Sequence, residues 1–190
     1  PALLLQVLTG VLLAAKLQRT RAWLVAHADA VPDDKAIAAF RNAIERRARG
    51  EPLAYIQGRR EFWSLDLAVS PAVLVPRPET ELLVERALAL LGDEPAMVAD
   101  LGTGSGAIAL ACARERPRWR IVATDRSAEA LAVARANARS LGVDNVDFLA
   151  GDWFEPLAGK RFSMILSNPP YIAAGVAALQ DPGLRFEPSS

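Results

Sequence analysis

The stretch Met97-Val98-Ala99-Asp100-Leu101-Gly102-Thr103-Gly104-Ser105-Gly106 decides how this chain folds. Its first five residues read as a short buried strand. The three glycines that follow allow a sharp turn and close approach of a ligand to the main chain. Ala107 to Arg116 then reads as a helix. The alternation continues beyond it, with strands predicted at Arg120 to Thr124, Val146 to Leu149 and Phe162 to Ser167, and a helix at Ala128 to Leu141. Strands alternating with helices predict an α/β fold built on a parallel, Rossmann-like sheet with right-handed crossovers. The loop nearly fits the dinucleotide fingerprint, with Ala107 at the third small position. The next strand ends in Asp125, about 20 residues on, where an acid holds ribose hydroxyls. Asp100, Gly102, Thr103, Gly104, Ser105, Gly106 and Asp125 are therefore candidate residues for an adenosine-containing cofactor. The pattern serves nicotinamide and S-adenosylmethionine enzymes alike. Asp100 is also readable as a turn residue bonded to its own loop. After the third strand, Asp152 is a candidate for the adenine amino group. Trp153 is a candidate for the adenine ring, or equally for the core.

The fourth strand stops at Asn168-Pro169-Pro170-Tyr171. Neither proline has an N–H to continue a ladder, and each residue before a proline is kept extended. The result is a stiff polar corner at the carboxyl end of a buried strand, where open α/β sheets bind ligands. A planar amide or aromatic amine is a poor nucleophile because its lone pair is delocalised. Two acceptors on its N–H bonds hold the nitrogen and stabilise the positive charge that develops as it is alkylated. The Asn168 side-chain oxygen and the Pro169 carbonyl supply two such acceptors. Pro170 stiffens them, and Tyr171 offers a flat face for stacking. Asn168, Pro169, Pro170 and Tyr171 are thus the candidate catalytic and substrate-binding residues, with Asn168 also next to the cofactor.

Composition agrees with chemistry that needs no strong base. The single histidine, His27, and single cysteine, Cys112, exclude an intramolecular disulfide and leave too few ligands for a zinc site, so no metal is expected. Lys+Arg and Asp+Glu balance at 22 each, so no global basic field draws nucleic acid to the surface. Residues 1–50 read as helical. The apolar start, Pro1 to Ala15, is ended by Lys16 short of the roughly 20 residues that span a bilayer, so a buried helix is expected there and not a signal peptide or membrane anchor. A helix after Pro32 carries Ile37, Phe40 and Ile44 on one face, with Arg46, Arg47 and Arg49 in its last turn as dipole complement and solvated face. Glu51 to Gly58 reads as a linker. Glu61 to Val69 reads as a hairpin turning near Ser64, Val73 to Val75 as a brief extended piece, and Pro78 as the first turn of a helix ending at Gly92.

The chain resembles the amino methyltransferases that carry an Asp/Asn-Pro-Pro-Tyr motif. Within them it is most similar to the protein-(glutamine-N5) methyltransferases of peptide-chain release factors, the HemK/PrmC family. The resemblance rests on Arg60-Glu61-Phe62-Trp63, Pro76-Arg77-Pro78-Glu79-Thr80-Glu81, the loop from Asp100 to Ala109, Ser167 to Ile172, and Arg185-Phe186-Glu187-Pro188. It implies a class I S-adenosylmethionine-dependent methyltransferase sheet with a small N-terminal helical domain. It implies S-adenosylmethionine along Gly102 to Gly106, with Asp125 on the ribose and Trp153 beside the adenine. It further implies that Asn168 to Tyr171 hold the glutamine of a release factor's Gly-Gly-Gln loop, in a cytoplasmic enzyme with no membrane and no direct nucleic-acid contact. The expected division is 1–58 as a helical substrate-binding domain, 59–75 as hairpin and linker, and 76–190 as a catalytic domain. The family's sheet has seven strands and four are read here. The chain is therefore expected to be a fragment lacking the C-terminal strands, and the activity of that fragment is in question. Two other classes compete: a nucleic-acid amino methyltransferase (adenine-N6 or guanine-N2), with Arg114, Arg116, Arg118 and Arg120 as a local basic strip, and a non-catalytic cofactor- or partner-binding module.

Overall fold

The structure is a computed structural model and describes residues 2–169 and 183–188. It divides into two compact units, Pro1–Gln57 and Gly58–Ser190. In the first, helices α1 (Ala2–Leu17), α2 (Arg21–Ala26), α3 (Asp34–Ala48) and α4 (Leu53–Gln57) close around Leu12, Ala43 and Ile56, with Phe40, Ile44 and Leu53 packed against them. Asp33 caps α3, its carboxylate accepting from the Ala36 N–H at 2.6 Å. The same helix ends in a Schellman turn. Gly50 sits at φ 93°, its N–H donates to Arg47 C=O at 2.9 Å, and the Glu51 N–H donates to Arg46 C=O at 3.2 Å. Arg46 grips Glu51 through Nε at 2.8 Å and Nη2 at 2.5 Å. Arg46, and Arg47 whose Nη1 donates to the Glu51 C=O at 3.1 Å, are thus occupied in closing the helix. The expected linker at Glu51 to Gly58 is corrected by α4, whose Ala54, Tyr55 and Ile56 are buried. Pro52 at the helix start and the apolar Leu-Ala-Tyr-Ile run explain it.

The second unit begins with a hairpin, β1 (Arg59–Phe62) and β2 (Leu65–Ala68), in which Phe62 lies opposite Leu65. Its two-residue turn, Trp63-Ser64, has φ of 51° and 56°, the left-handed pair that matches strand twist. Two carboxylates hold this turn. Trp63 N–H donates to Glu81 Oε1 at 2.9 Å, and its indole Nε1 donates to Glu115 Oε1 at 3.0 Å. Phe62, Leu65 and Leu67 belong to the main core of this unit. The expected extended piece at Val73 to Val75 forms no strand, although Val73 and Val75 are buried. Pro78–Thr80 makes one 3-10 turn and leads into α5 (Glu81–Leu91), closed by Gly92 at φ 63°.

Strands β3 (Met97–Leu101), β4 (Arg120–Asp125), β5 (Val146–Ala150) and β6 (Met164–Ser167) form one parallel sheet in the order β5-β4-β3-β6. Helices α6 (Ala107–Glu115) and α7 (Ala128–Leu141) are the crossovers. With α5 they cover the sheet face that carries Val98, Ile121 and Ala123. On the other face Ala99, Leu101 and Val122 meet Leu157 and Phe162. The chain walks outward from β3 to β5, then returns to place β6 on the free side of β3. That reversal opens a crevice at the carboxyl ends of β3 and β6.

Candidate functional site

Leu101 lies opposite Ser167 in the β3–β6 register, and Ser167 Oγ donates to the Leu101 carbonyl at 3.0 Å. The next residue on one strand is Gly102 and on the other Asn168. Two motifs 66 residues apart in sequence therefore leave neighbouring strands at the same end. They line one cleft, together with Pro76, Arg77 and Thr80 from the turn before α5.

The glycine loop is shaped for a ligand on its backbone. Gly102 and Gly104 lie at φ 69° and 56°, and a Cβ on either would meet nothing within 4 Å. Their main chain thus faces open space, which fits the close approach a nucleoside cofactor needs. Gly106, at φ 83°, has a different reason to be glycine: a Cβ there would press Leu110 Cδ1 at 3.0 Å and Ala134 Cβ at 3.3 Å. The loop is tied from behind. Thr103 N–H donates to Thr124 C=O at 2.9 Å, and Gly106 N–H to Thr103 C=O at 2.9 Å. Asp125 Oδ2 accepts from Gly104 N–H at 2.9 Å, and its Oδ1 from Ser127 N–H at 3.0 Å. The acid expected at a ribose therefore also joins the loop to the start of α7, where Ser127 caps through Ala130 N–H at 3.1 Å.

Asp100 is fully buried beneath this loop, accepting the Thr103 hydroxyl at 2.6 Å. Burial pushes its carboxyl up to about 6, against the opposing Thr103 bond and with a small addition from the charge of Asp125. The folded chain thus holds this proton more tightly than the unfolded one, whose ordinary value is 3.8. The stability it contributes is complete below about pH 4 and lost as pH rises to about 6, a difference of roughly 3 kcal/mol. Asp100→Asn keeps the acceptor for Thr103 and removes the titration. Melting curves should therefore show the variant gaining on the wild type between pH 4 and 7. Curves that stay parallel over that range would exclude the buried charge as the cause.

Asn168 is held by a bond from its Nδ2 to Thr80 Oγ1 at 3.0 Å. Pro169 follows it, half-buried. Pro170 and Tyr171 lie outside the described residues. Beside the cleft, Arg77 Nη2 meets Glu187 Oε1 at 2.7 Å, which joins the Pro76–Glu81 turn to the Arg-Phe-Glu-Pro segment. Asp152 and Trp153 follow β5 and are not among the cleft-lining residues. Trp153 is 52% exposed, which excludes the core as its role. Its φ of 43° is uncommon for a bulky side chain.

Reading the sequence missed Thr80 as a partner of Asn168 and missed Asn137 altogether. Asn137 is 2% exposed in the middle of α7. It donates to Ala68 C=O at 3.0 Å and Ser105 C=O at 2.9 Å, and accepts from Ala68 N–H at 2.8 Å. One signal was available: asparagine disfavours helix interiors, and this one sits on the face of Ala130, Ala134 and Ala138. The other reactive side chains are spent elsewhere. Burial pushes the Cys112 thiol up to about 12, and the His27 ring sits on the Trp23 carbonyl at 3.0 Å. Arg116 binds Asp93 and Arg118 binds Glu94, so half of the basic strip is neutralised. Among the described residues, no cluster of three metal-ligating side chains occurs and no helix is long and apolar enough to cross a membrane.

Comparison with known proteins places the parts. Residues 78–181 match the family described as methyltransferase small domain, and residues 7–58 the PrmC N-terminal domain. The release factor glutamine methyltransferase of Xylella fastidiosa (strain 9a5c) is 53% identical over 94% of this chain and 66% of its own length. That of Escherichia coli (strain K12) is 49% identical over 90% of this chain and 61% of its own length. The chain thus spans between about half and just under two thirds of the length of the curated relatives it matches. Among solved structures, Trm5b from Pyrococcus abyssi superposes with a TM-score of 0.51 at 21% identity, over 60% of this chain and 33% of that one, a likeness of fold.

Proposed function

Since the chain belongs to the methyltransferase small domain family, we propose that it transfers the methyl group of S-adenosylmethionine to the side-chain amide nitrogen of the glutamine in the Gly-Gly-Gln loop of peptide-chain release factors. The observation that carries this reading is the register of Leu101 opposite Ser167, which sets an open glycine backbone and an amide side chain on one cleft. The names of the relatives support the substrate, and the match of residues 7–58 to a PrmC N-terminal domain supports a release-factor-holding role for the helical unit. A cytoplasmic location belongs to the same reading, because translation is terminated there.

S-adenosylmethionine supplies an electrophilic methyl group, and the protein supplies placement. Gly102 to Gly106 offer main chain to the cofactor, Asp125 takes its ribose, and Asp152 and Trp153 take its adenine. Asn168 Oδ1 and the Pro169 carbonyl accept the two N–H bonds of the glutamine amide, aim its nitrogen, and stabilise the positive charge it gains. Pro170 and Tyr171 complete the motif. After transfer the proton is shed from a cationic amide, a strong acid, so no histidine is needed.

The test is to incubate the full-length protein and labelled cofactor separately with release factor, with release factor lacking the Gly-Gly-Gln glutamine, and with DNA or RNA. Label is expected on intact release factor alone. Label entering nucleic acid and not release factor would overturn the reading. Asp125→Ala removes a carboxylate that holds Gly104 and Ser127 and takes the ribose. It should weaken cofactor binding by about 10–100-fold in calorimetry, the value of one or two charge-assisted bonds. Unchanged affinity would remove Asp125 from the cofactor site.

A further inference from the structure

A glycine loop that offers its main chain to a ligand has to hold that main chain in one conformation. Glycine tolerates both signs of φ at little cost, so a peptide unit beside one turns over readily unless its polar atoms are tied. The Ser105–Gly106 unit is tied at both ends. Gly106 N–H donates to Thr103 C=O at 2.9 Å within the loop, and Ser105 C=O accepts from Asn137 Nδ2 at 2.9 Å. The second of these anchors comes from α7, outside the loop.

The Asn137 amide has only one workable orientation. Its Oδ1 accepts from Ala68 N–H at 2.8 Å, a group that only donates. Its Nδ2 donates to Ala68 C=O at 3.0 Å and to Ser105 C=O at 2.9 Å, groups that only accept. Half a turn of the amide would break all three bonds at once. The side chain is 2% exposed, which keeps bulk water from competing. Gly106 makes the reach possible: a Cβ there would press Ala134 Cβ at 3.3 Å, so the loop lies directly on α7, one turn before Asn137. The helix thereby holds the loop at two points. Asp125 takes Gly104 N–H with one oxygen and Ser127 N–H, at the helix start, with the other, and Asn137 takes Ser105. The bonds to Ala68 fasten the same amide to the β1–β2 hairpin, whose Phe62, Leu65 and Leu67 lie in the core.

We infer that Asn137 is a positioning residue for the cofactor: it locks the Ser105–Gly106 peptide and anchors the glycine loop to the hairpin, so that the loop holds its binding conformation before the cofactor arrives. This rests on the placement of S-adenosylmethionine along Gly102 to Gly106 proposed above. It deepens that reading by adding a residue buried behind the loop, which does not line the cleft. A loop released from this anchor spends less of its time in the competent form, and apparent affinity falls by that fraction.

In the full-length protein Asn137→Ala should weaken S-adenosylmethionine binding about ten-fold in calorimetry, the loss of one hydrogen bond. Leu65→Ala serves as the control. It removes core packing from the hairpin and lowers the melting temperature too, but leaves the bonds of the loop in place, so its affinity should stay near that of the wild type. Both titrations are run well below the lower melting point. In 15N spectra without cofactor, the Gly106 amide should broaden in Asn137→Ala and sharpen again on adding S-adenosylhomocysteine, and stay sharp throughout in Leu65→Ala. One measurement needs no variant: in the cofactor-free wild type the Asn137 side-chain N–H protons should exchange slowly with solvent. A wild-type protein that binds cofactor and does not methylate release factor would end the substrate reading and leave this one standing. Unchanged affinity in Asn137→Ala, an equal loss of affinity in Leu65→Ala, or fast exchange of the Asn137 side-chain protons would each overturn it.

Discussion

Asn168→Ala is expected to lower the rate of methyl transfer by about 10²–10³-fold, the usual loss for one preorganised polar group, with little change in cofactor affinity. The asymmetry follows from where the group acts. The glycine loop, tied to Thr124 and Asp125, does not depend on the Asn168 side chain. In the ground state the substrate amide carries no charge and Asn168 is one acceptor among several contacts. As the methyl group transfers, the nitrogen loses its conjugation and becomes positive, and an acceptor placed beforehand gains most at that moment. The Pro169 carbonyl survives the substitution, so the loss stops short of complete. Single-turnover transfer with labelled cofactor and full-length protein measures it. A rate near that of the wild type would mean that the corner is a proline-stopped loop with no part in the chemistry.

Asn137→Ala should destabilise the second unit by about 3 kcal/mol. Three main-chain groups lose their partner at once: the N–H and C=O of Ala68 and the C=O of Ser105. An unsatisfied buried group costs about 1–3 kcal/mol. Ala68 lies on an exposed strand position, where water recovers part of the loss, whereas Ser105 is 2% exposed and recovers little. For a unit of this size the change amounts to a fall of about 10 °C in melting temperature. The same residue connects stability to the site, since Ser105 belongs to the glycine loop and Ala68 to the hairpin. The variant should therefore also bind cofactor more weakly. A melting temperature within a degree or two of the wild type would show that water replaces all three bonds.

Most of the sheet was legible because its signals are local. Strand β3, the glycine turn, α6, β4, α7, β5 and β6 follow from apolar runs, glycine turns and helix caps over neighbouring residues. The hairpin was legible for the same reason, although its Trp63-Ser64 turn uses none of the glycine or asparagine residues that usually mark one. Glu51 to Gly58 was misread because five helical residues are too few for a period to declare itself. Their helix is decided by burial of Tyr55 and Ile56. Asp100 was legible as an acid in a loop, but not as a fully buried one with a carboxyl raised to about 6, since burial depends on what packs above it.

By itself the sequence determined the alternation that makes a parallel sheet, the open backbone of Gly102 to Gly104, and an acceptor-rich corner at Asn168-Pro169. These depend on backbone freedom, side-chain period and missing N–H groups, which are properties of adjacent residues. Only the tertiary structure decided that the corner and the loop share a cleft, that Asn168 bonds Thr80, and that Asn137 ties the hairpin to the loop. The bonds involved span 32 to 88 residues of sequence. The physical reason is the strand order β5-β4-β3-β6: β6 returns to the free side of β3, and no periodicity along the chain records which strand it will sit beside.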